Sequence, residues 1–163
     1  MRIVLSLIFL LSAVLPVQAA DLCGNTRPVA TVVEDKILSA IDTLTPALFH
    51  DPILTIRFHT SRANELYQNA VNRVNSNPGE AIWLAVRAQN HLTLIEANIR
   101  EVKNPGDVPY NDIWRSFRIT QKAQDTLHTN LPKACRPTIS QLQSFESGTV
   151  TTIKKLYYES LLP

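Results

Sequence analysis

The run EAIWLAVRAQNHLTLIEANIREVK, Glu80 to Lys103, decides the architecture. Its apolar residues Ala81, Ala85, Ala88, Leu92, Ile95, Ile99 and Val102 recur at alternating spacings of four and three. That spacing returns to one side of an α-helix at every turn, whereas a strand alternates at every residue. The alanines at one end are small enough to admit a neighbouring helix closely.

Outward from this run, the same test finds further helices. Asp51-Pro52 supplies an N-cap acceptor and a first-turn proline. The stripe Ile56, Ala63, Leu66, Ala70 and Val74 then carries a helix to about Asn75, with His59 inside the stripe. A helix from about Tyr110 to Leu131 has the stripe Ile113, Phe117, Thr120, Gln124, Leu127 and Leu131, apolar at its ends and polar in its middle. The last helix opens at Arg136-Pro137, with Thr138-x-x-Gln141 as a capping box. Its stripe is Ile139, Leu142, Phe145, Thr149, Ile153, Leu156 and Tyr157, and Gly148 within it predicts a kink or weak turn. An N-terminal helix spans about Pro28 to Leu44 and stops before Pro46. Short connections make sequential helices antiparallel. The expected fold is therefore all-α: an up-and-down bundle of four long helices plus an N-terminal helix, with one disulfide.

The chain opens Met1-Arg2, followed by the apolar run Ile3 to Val17 and the small residues of Val17-Gln18-Ala19. The run is shorter than the ~20 residues a spanning helix needs, and one charge before it completes the layout of a cleavable signal peptide. Residues 1–19 are read as that peptide and residues 20–163 as a single helical-bundle domain, which places the protein outside the cytoplasm, in a periplasm or the extracellular space. No second hydrophobic run follows, so no stable membrane anchor is expected. Leu22 and Asp21 before Cys23 fit a lipoprotein site poorly. In an oxidising compartment Cys23 would instead pair with Cys135, the one other cysteine. Helix directions bring both cysteines to one end of the bundle, and the cross-link would be worth roughly 4–5 kcal/mol in a chain-entropy account.

The formal charge of +2 falls to about +1 without Arg2, too little to argue for nucleic acid or anionic lipid as partner. Eleven asparagines include no Asn-x-Ser/Thr acceptor, which leans toward a bacterial exported protein. "NPGEAIWLAVR" (Asn77 to Arg87) and "NPGDVPYNDIWRSFR" (Asn104 to Arg118) echo one another: Asn-Pro-Gly, an acid, then Ile-Trp-x-x-x-Arg. The first part is turn chemistry. Trp and Arg four apart face each other on a helix. Trp83 points away from the 81-85-88-92 stripe, so Trp83 with Arg87 is the candidate partner-binding surface. Trp114, beside Ile113 and Phe117, reads as core.

Among the histidines (His50, His59, His91 and His128) no pair is spaced i, i+4, and Asp125-x-x-His128 occurs once where a carboxylate-bridged metal bundle needs it twice. Neither a metal nor another cofactor is expected. His59, Thr120 and Gln124 are placed to form a buried polar layer or a ligand pocket. With no catalytic motif in the chain, the expected function is non-enzymatic: a binding or inhibitory, neutralising module acting on a protein partner. The alternative is a bundle that binds a small ligand or metal around His59. The mature protein recovered after export should begin at Ala20, with an intact mass two hydrogens below the reduced value and no acyl addition. Mass spectrometry reads all three, and an acylated Cys23 would refute the assignment.

Overall fold

The computed structural model describes Ala40 and residues 51–162. Four α-helices account for most of them: α1 (Pro52–Arg73), α2 (Pro78–Ile99), α3 (Tyr110–Asn130) and α4 (Arg136–Ser160). Short 3-10 turns at Pro105–Asp107 and Lys133–Cys135 lie in the last two connections. Among the described residues there is no strand, and no helix is long and apolar enough to cross a membrane. The expected signal peptide and Cys23 lie outside the described residues, as does the expected N-terminal helix apart from Ala40, which is helical. Cys135 is fully buried.

The helices start where side chains satisfy the first-turn amides. Asp51 Oδ1 accepts from the Ile53 amide at 2.8 Å, with Pro52 in the first turn of α1. Asn77 Oδ1 accepts from the Glu80 amide at 3.1 Å, while Asn77 Nδ2 donates to Glu80 Oε2 at 3.2 Å. This is a reciprocal cap for α2. The second Asn-Pro-Gly behaves differently: Asn104 Oδ1 accepts from the Gly106 amide at 3.3 Å and closes a 3-10 turn, and α3 begins only at Tyr110. The two halves of the echo thus do different jobs. At the start of α4 the Thr138–Gln141 capping box is not used, because the helix already begins at Arg136, ahead of it. Arg136 instead donates back to the carbonyls of Leu131 and Thr129 at the end of α3. Val102 falls outside α2, which ends at Ile99, but still packs half-buried against the core.

Cross-helix bonds set the directions. His59 meets His91 and Tyr67 meets Gln89, so α1 and α2 are antiparallel. Ser116 bonds to Asn64 and Gln124 to Tyr67, so α3 runs parallel to α1. Thr120 bonds to Glu146 and Gln143 to Asp125, so α4 is antiparallel to α3. Direction alternates along the chain as expected, but adjacency does not follow it. α1 packs beside α2 and α3, and α4 packs beside α2 and α3, which leaves α2 and α3 on a diagonal. The connection from Arg100 to Pro109 carries the chain across, anchored by buried Val108. The described helices thus form two antiparallel hairpins, α1–α2 and α3–α4, docked side by side. The Asn-Pro-Gly echo marks the starts of α2 and α3, which are not equivalent places in the two hairpins, so the repeat of form is not a repeat of structure.

The α1–α2 seam is the most extensive helix pair. Ala63, Ala70, Ala81, Ala85 and Ala88 are all fully buried, as the small-residue pattern implied. Along α4 one expectation is corrected: Phe145 is 67% exposed, and Glu146 takes its place in the buried row with Leu142, Thr149 and Ile153. Either residue continues a helical stripe from Leu142, and hydrophobicity favoured the wrong one. Gly148 does not interrupt the helix, since α4 is one element from Arg136 to Ser160. A Cβ at Gly148 would meet nothing within 4 Å. Gly148→Ala should therefore raise unfolding stability by about 0.5–1 kcal/mol in a urea titration.

Candidate functional site

A buried polar layer crosses the middle of the bundle, with a residue or two from each helix. Glu146 of α4, 4% exposed, accepts from Thr120 Oγ1 at 2.7 Å and from Gln124 Nε2. Gln124 Nε2 also donates to the Tyr67 hydroxyl at 2.6 Å, and Tyr67 donates onward to Gln89 Oε1 at 3.5 Å. Thr120, Tyr67 and Gln124 are at most 1% exposed. Glu146 accepts in both of these bonds, so the layer is arranged for an acceptor at that point. Gln89 Nε2 is buried without a hydrogen-bond partner. Its Tyr67 contact is at the outer limit of a hydrogen bond, which makes the α2 corner the weakest part of the layer.

The polar middle of the α3 stripe thus has a specific cause, the carboxyl of Glu146. Burial pushes that carboxyl up from its ordinary value to about 7; the Thr120 and Gln124 hydrogen bonds pull the other way and nearby Asp125 adds to the rise. Burial also pushes the Tyr67 hydroxyl upward, against the Gln124 hydrogen bond and with the help of Glu146. The site therefore holds a proton that is gained or lost near neutral pH.

His59 lies elsewhere. It is 2% exposed, but its partner is His91 of α2, with Nδ1 to Nδ1 at 2.8 Å, and not Thr120 or Gln124. One Nδ1 must donate and the other accept, so the two rings hold complementary tautomers. Phe58 meets both rings edge-on. The expected trio is thus divided: His59 belongs to an α1–α2 pair, and Thr120 and Gln124 to the Glu146 layer. Of the expected partner surface, Trp83 is half-buried and Arg87 is 6% exposed, so the two do not form an open patch. Trp114 is half-buried in an aromatic cluster with Tyr110, Phe117 and Tyr157. Among the described residues, no group of three His, Cys, Asp or Glu side chains is close enough to share a metal ion.

The layer reaches the surface on one side. Between α3 and α4 a groove of about 900 Å³ has Gln124 and Glu146 on its floor. Trp114, Phe117 and Val150 form its apolar wall, and Arg115, Arg118 and Lys154 stand exposed at its rim. A concave site with an apolar wall and a few fixed polar groups suits a small organic ligand. Glu146 was not legible as a site residue, although the uncharged polar pair Thr120 and Gln124 in a core stripe already required a polar counterpart. No protein-family model, curated protein or solved structure matches the chain.

Glu146 couples folding to pH. Its carboxyl holds a proton more tightly in the folded protein, at about 7, than in the unfolded chain at its ordinary value of 4.5. Its contribution is fully present below about 4.5 and is lost as pH rises through about 7. Relative to Glu146→Gln, the native chain should lose on the order of 2 kcal/mol of unfolding free energy between pH 5 and pH 8. Parallel urea titrations of the two proteins measure this, and identical pH profiles would exclude the coupling.

Proposed function

We propose that this chain is an exported, non-catalytic binding module whose ligand site is the α3–α4 groove. The observation that carries the reading is the groove floor. Gln124 and Glu146 are held in place by bonds to Thr120 and Tyr67, so a ligand meets preset partners and few side chains have to be ordered on binding. The apolar wall and the cationic rim add area and charge. This is the small-ligand alternative drawn from the sequence, moved from His59 to Glu146, with Thr120 and Gln124 retained. Export rests on the Met1–Ala19 segment. A Cys23–Cys135 bridge fits it, with the buried Cys135 at the start of α4 as its anchor.

A protein partner is the second reading. It is favoured by two aromatics standing out from α4, Phe145 at 67% and Tyr158 at 64% exposure, since aromatic side chains are enriched at interfaces. A neutralising or inhibitory role belongs to this reading, and the α4 aromatics replace the buried Arg87 as its contact residues.

Native mass spectrometry of protein purified from the exported fraction separates the two. The groove reading requires a bound organic mass that is lost in Trp114→Ala. The partner reading requires a co-purifying polypeptide that is lost in Phe145→Ser. An unliganded, monomeric mass throughout would count against both.

A further inference from the structure

The α3–α4 groove changes character along its length. Two contacts fix the register of its walls: Trp114 and Tyr157 at 6.4 Å between ring centroids, and Thr120 Oγ1 to Glu146 Oε1 at 2.7 Å. Arg115 and Arg118 on α3 and Lys154 on α4 all fall between those two levels in sequence. All three are exposed and line the groove. Trp114 and Thr120 are separated by about 9 Å along α3, at 1.5 Å per residue. At and beyond the inner level the lining turns to the amides Gln121, Gln124 and Gln143 around Glu146. The groove thus has a cationic outer part, an apolar wall and an amide-rich inner end. The acids on its lining are Glu146 and Asp112, and Asp112 lies 3.9 Å from Arg57.

We propose that the groove binds a small organic acid with a flat apolar body, and that binding is coupled to the proton on Glu146. This rests on the groove being the binding site. The acid group sits among Arg115, Arg118 and Lys154, where charge-assisted hydrogen bonds from two helices converge. The apolar body lies along Trp114, Phe117 and Val150. Its far end reaches the amides of Gln121, Gln124 and Gln143. An ionised Glu146 at the inner end opposes a second negative charge in the same groove, and a protonated one does not. The groups facing Glu146 are Thr120, Gln124 and Asp125 from α3 and Tyr67 from α1, with Gln89 of α2 behind Tyr67. Elsewhere on the groove lining, Arg115 and Arg118 of α3 and Lys154 of α4 favour its ionised form and Asp112 opposes it. The Glu146 carboxyl, raised to about 7, changes state within the working range of a titration.

Calorimetric titration of the full chain with 2-naphthoate and its neutral isostere 2-naphthamide, at pH 6 and pH 8, tests this. The acid should bind about tenfold more tightly than the amide at pH 6, and the Arg115→Ala/Arg118→Ala double variant should erase that advantage. Both arginines are exposed, and circular dichroism checks that the variant is folded. Naphthoate affinity should fall between pH 6 and pH 8 in the native chain and stay level in Glu146→Gln. Equal affinity for acid and amide, both lost in Trp114→Ala, overturns the choice of acids and leaves the groove as the site. Failure of the folded native chain to bind either probe, or naphthoate binding untouched by both Trp114→Ala and the arginine variant, overturns the groove as well. Acid selectivity with no pH response overturns the coupling to Glu146.

Discussion

A carboxyl cannot be buried without donors, and Glu146 is the point around which the bundle is arranged. Its 4% exposure leaves water little access, and Thr120 and Gln124 supply the donors it needs. Gln124 must also engage Tyr67, whose phenol would otherwise be stranded in an apolar interior. These requirements extend from α4 through α3 and α1 to Gln89 on α2. A shift of any helix by one turn would break at least one of the bonds. Apolar side chains of similar size would pack in several nearly equal ways; the polar layer favours one register.

Among the described residues, the same layer lies between a closely packed side of the bundle and the side that carries the groove. The α1–α2 seam is closed by alanines beside Ile82, Leu66 and Leu92, and it also carries the His59–His91 pair and the Tyr67–Gln89 contact. Among the described residues, the middle of the α3–α4 pair has no comparable apolar filling. Gln121, Gln124, Gln143, Glu146 and Ser147 all border its groove. Trp114, Phe117 and Tyr157 close the pair at one end, and Arg136 ties α4 to the end of α3 at the other. The groove is what remains between two closed ends.

Much of this was legible in the residues, and the limits have physical causes. Asp51-Pro52 announces a helix start because capping is a local matter between neighbouring residues, whereas Asn77-Pro78-Gly79, read as a turn, forms the cap and first turn of α2. The heptad run from Ala81 to Ile99 is legible because one face meets the core throughout. The exchange of Phe145 for Glu146 was not. Periodicity allows both, and the choice depends on Thr120 and Gln124 facing α4, which is tertiary information. The same holds for His59, whose stripe position was correct but whose partner, His91, lies on the other neighbouring helix. The diagonal of α2 and α3 was equally hidden, because connection length fixes direction better than it fixes neighbours.

That diagonal has a consequence for the order in which the chain gains its structure. The α1–α2 hairpin is rich in contacts close in sequence, which favours fast formation, whereas α3 and α4 hold each other more sparsely and lean on α1 and α2. The layer draws Tyr67 and Gln89 from one hairpin and Thr120, Gln124 and Glu146 from the other. It is completed only when the finished hairpins meet. A docking with the hairpins out of step leaves Tyr67 without its Gln124 contact and Gln124, the donor to Glu146, without its partner across the junction, which disfavours it. The polar layer thus checks the register in which the two hairpins dock.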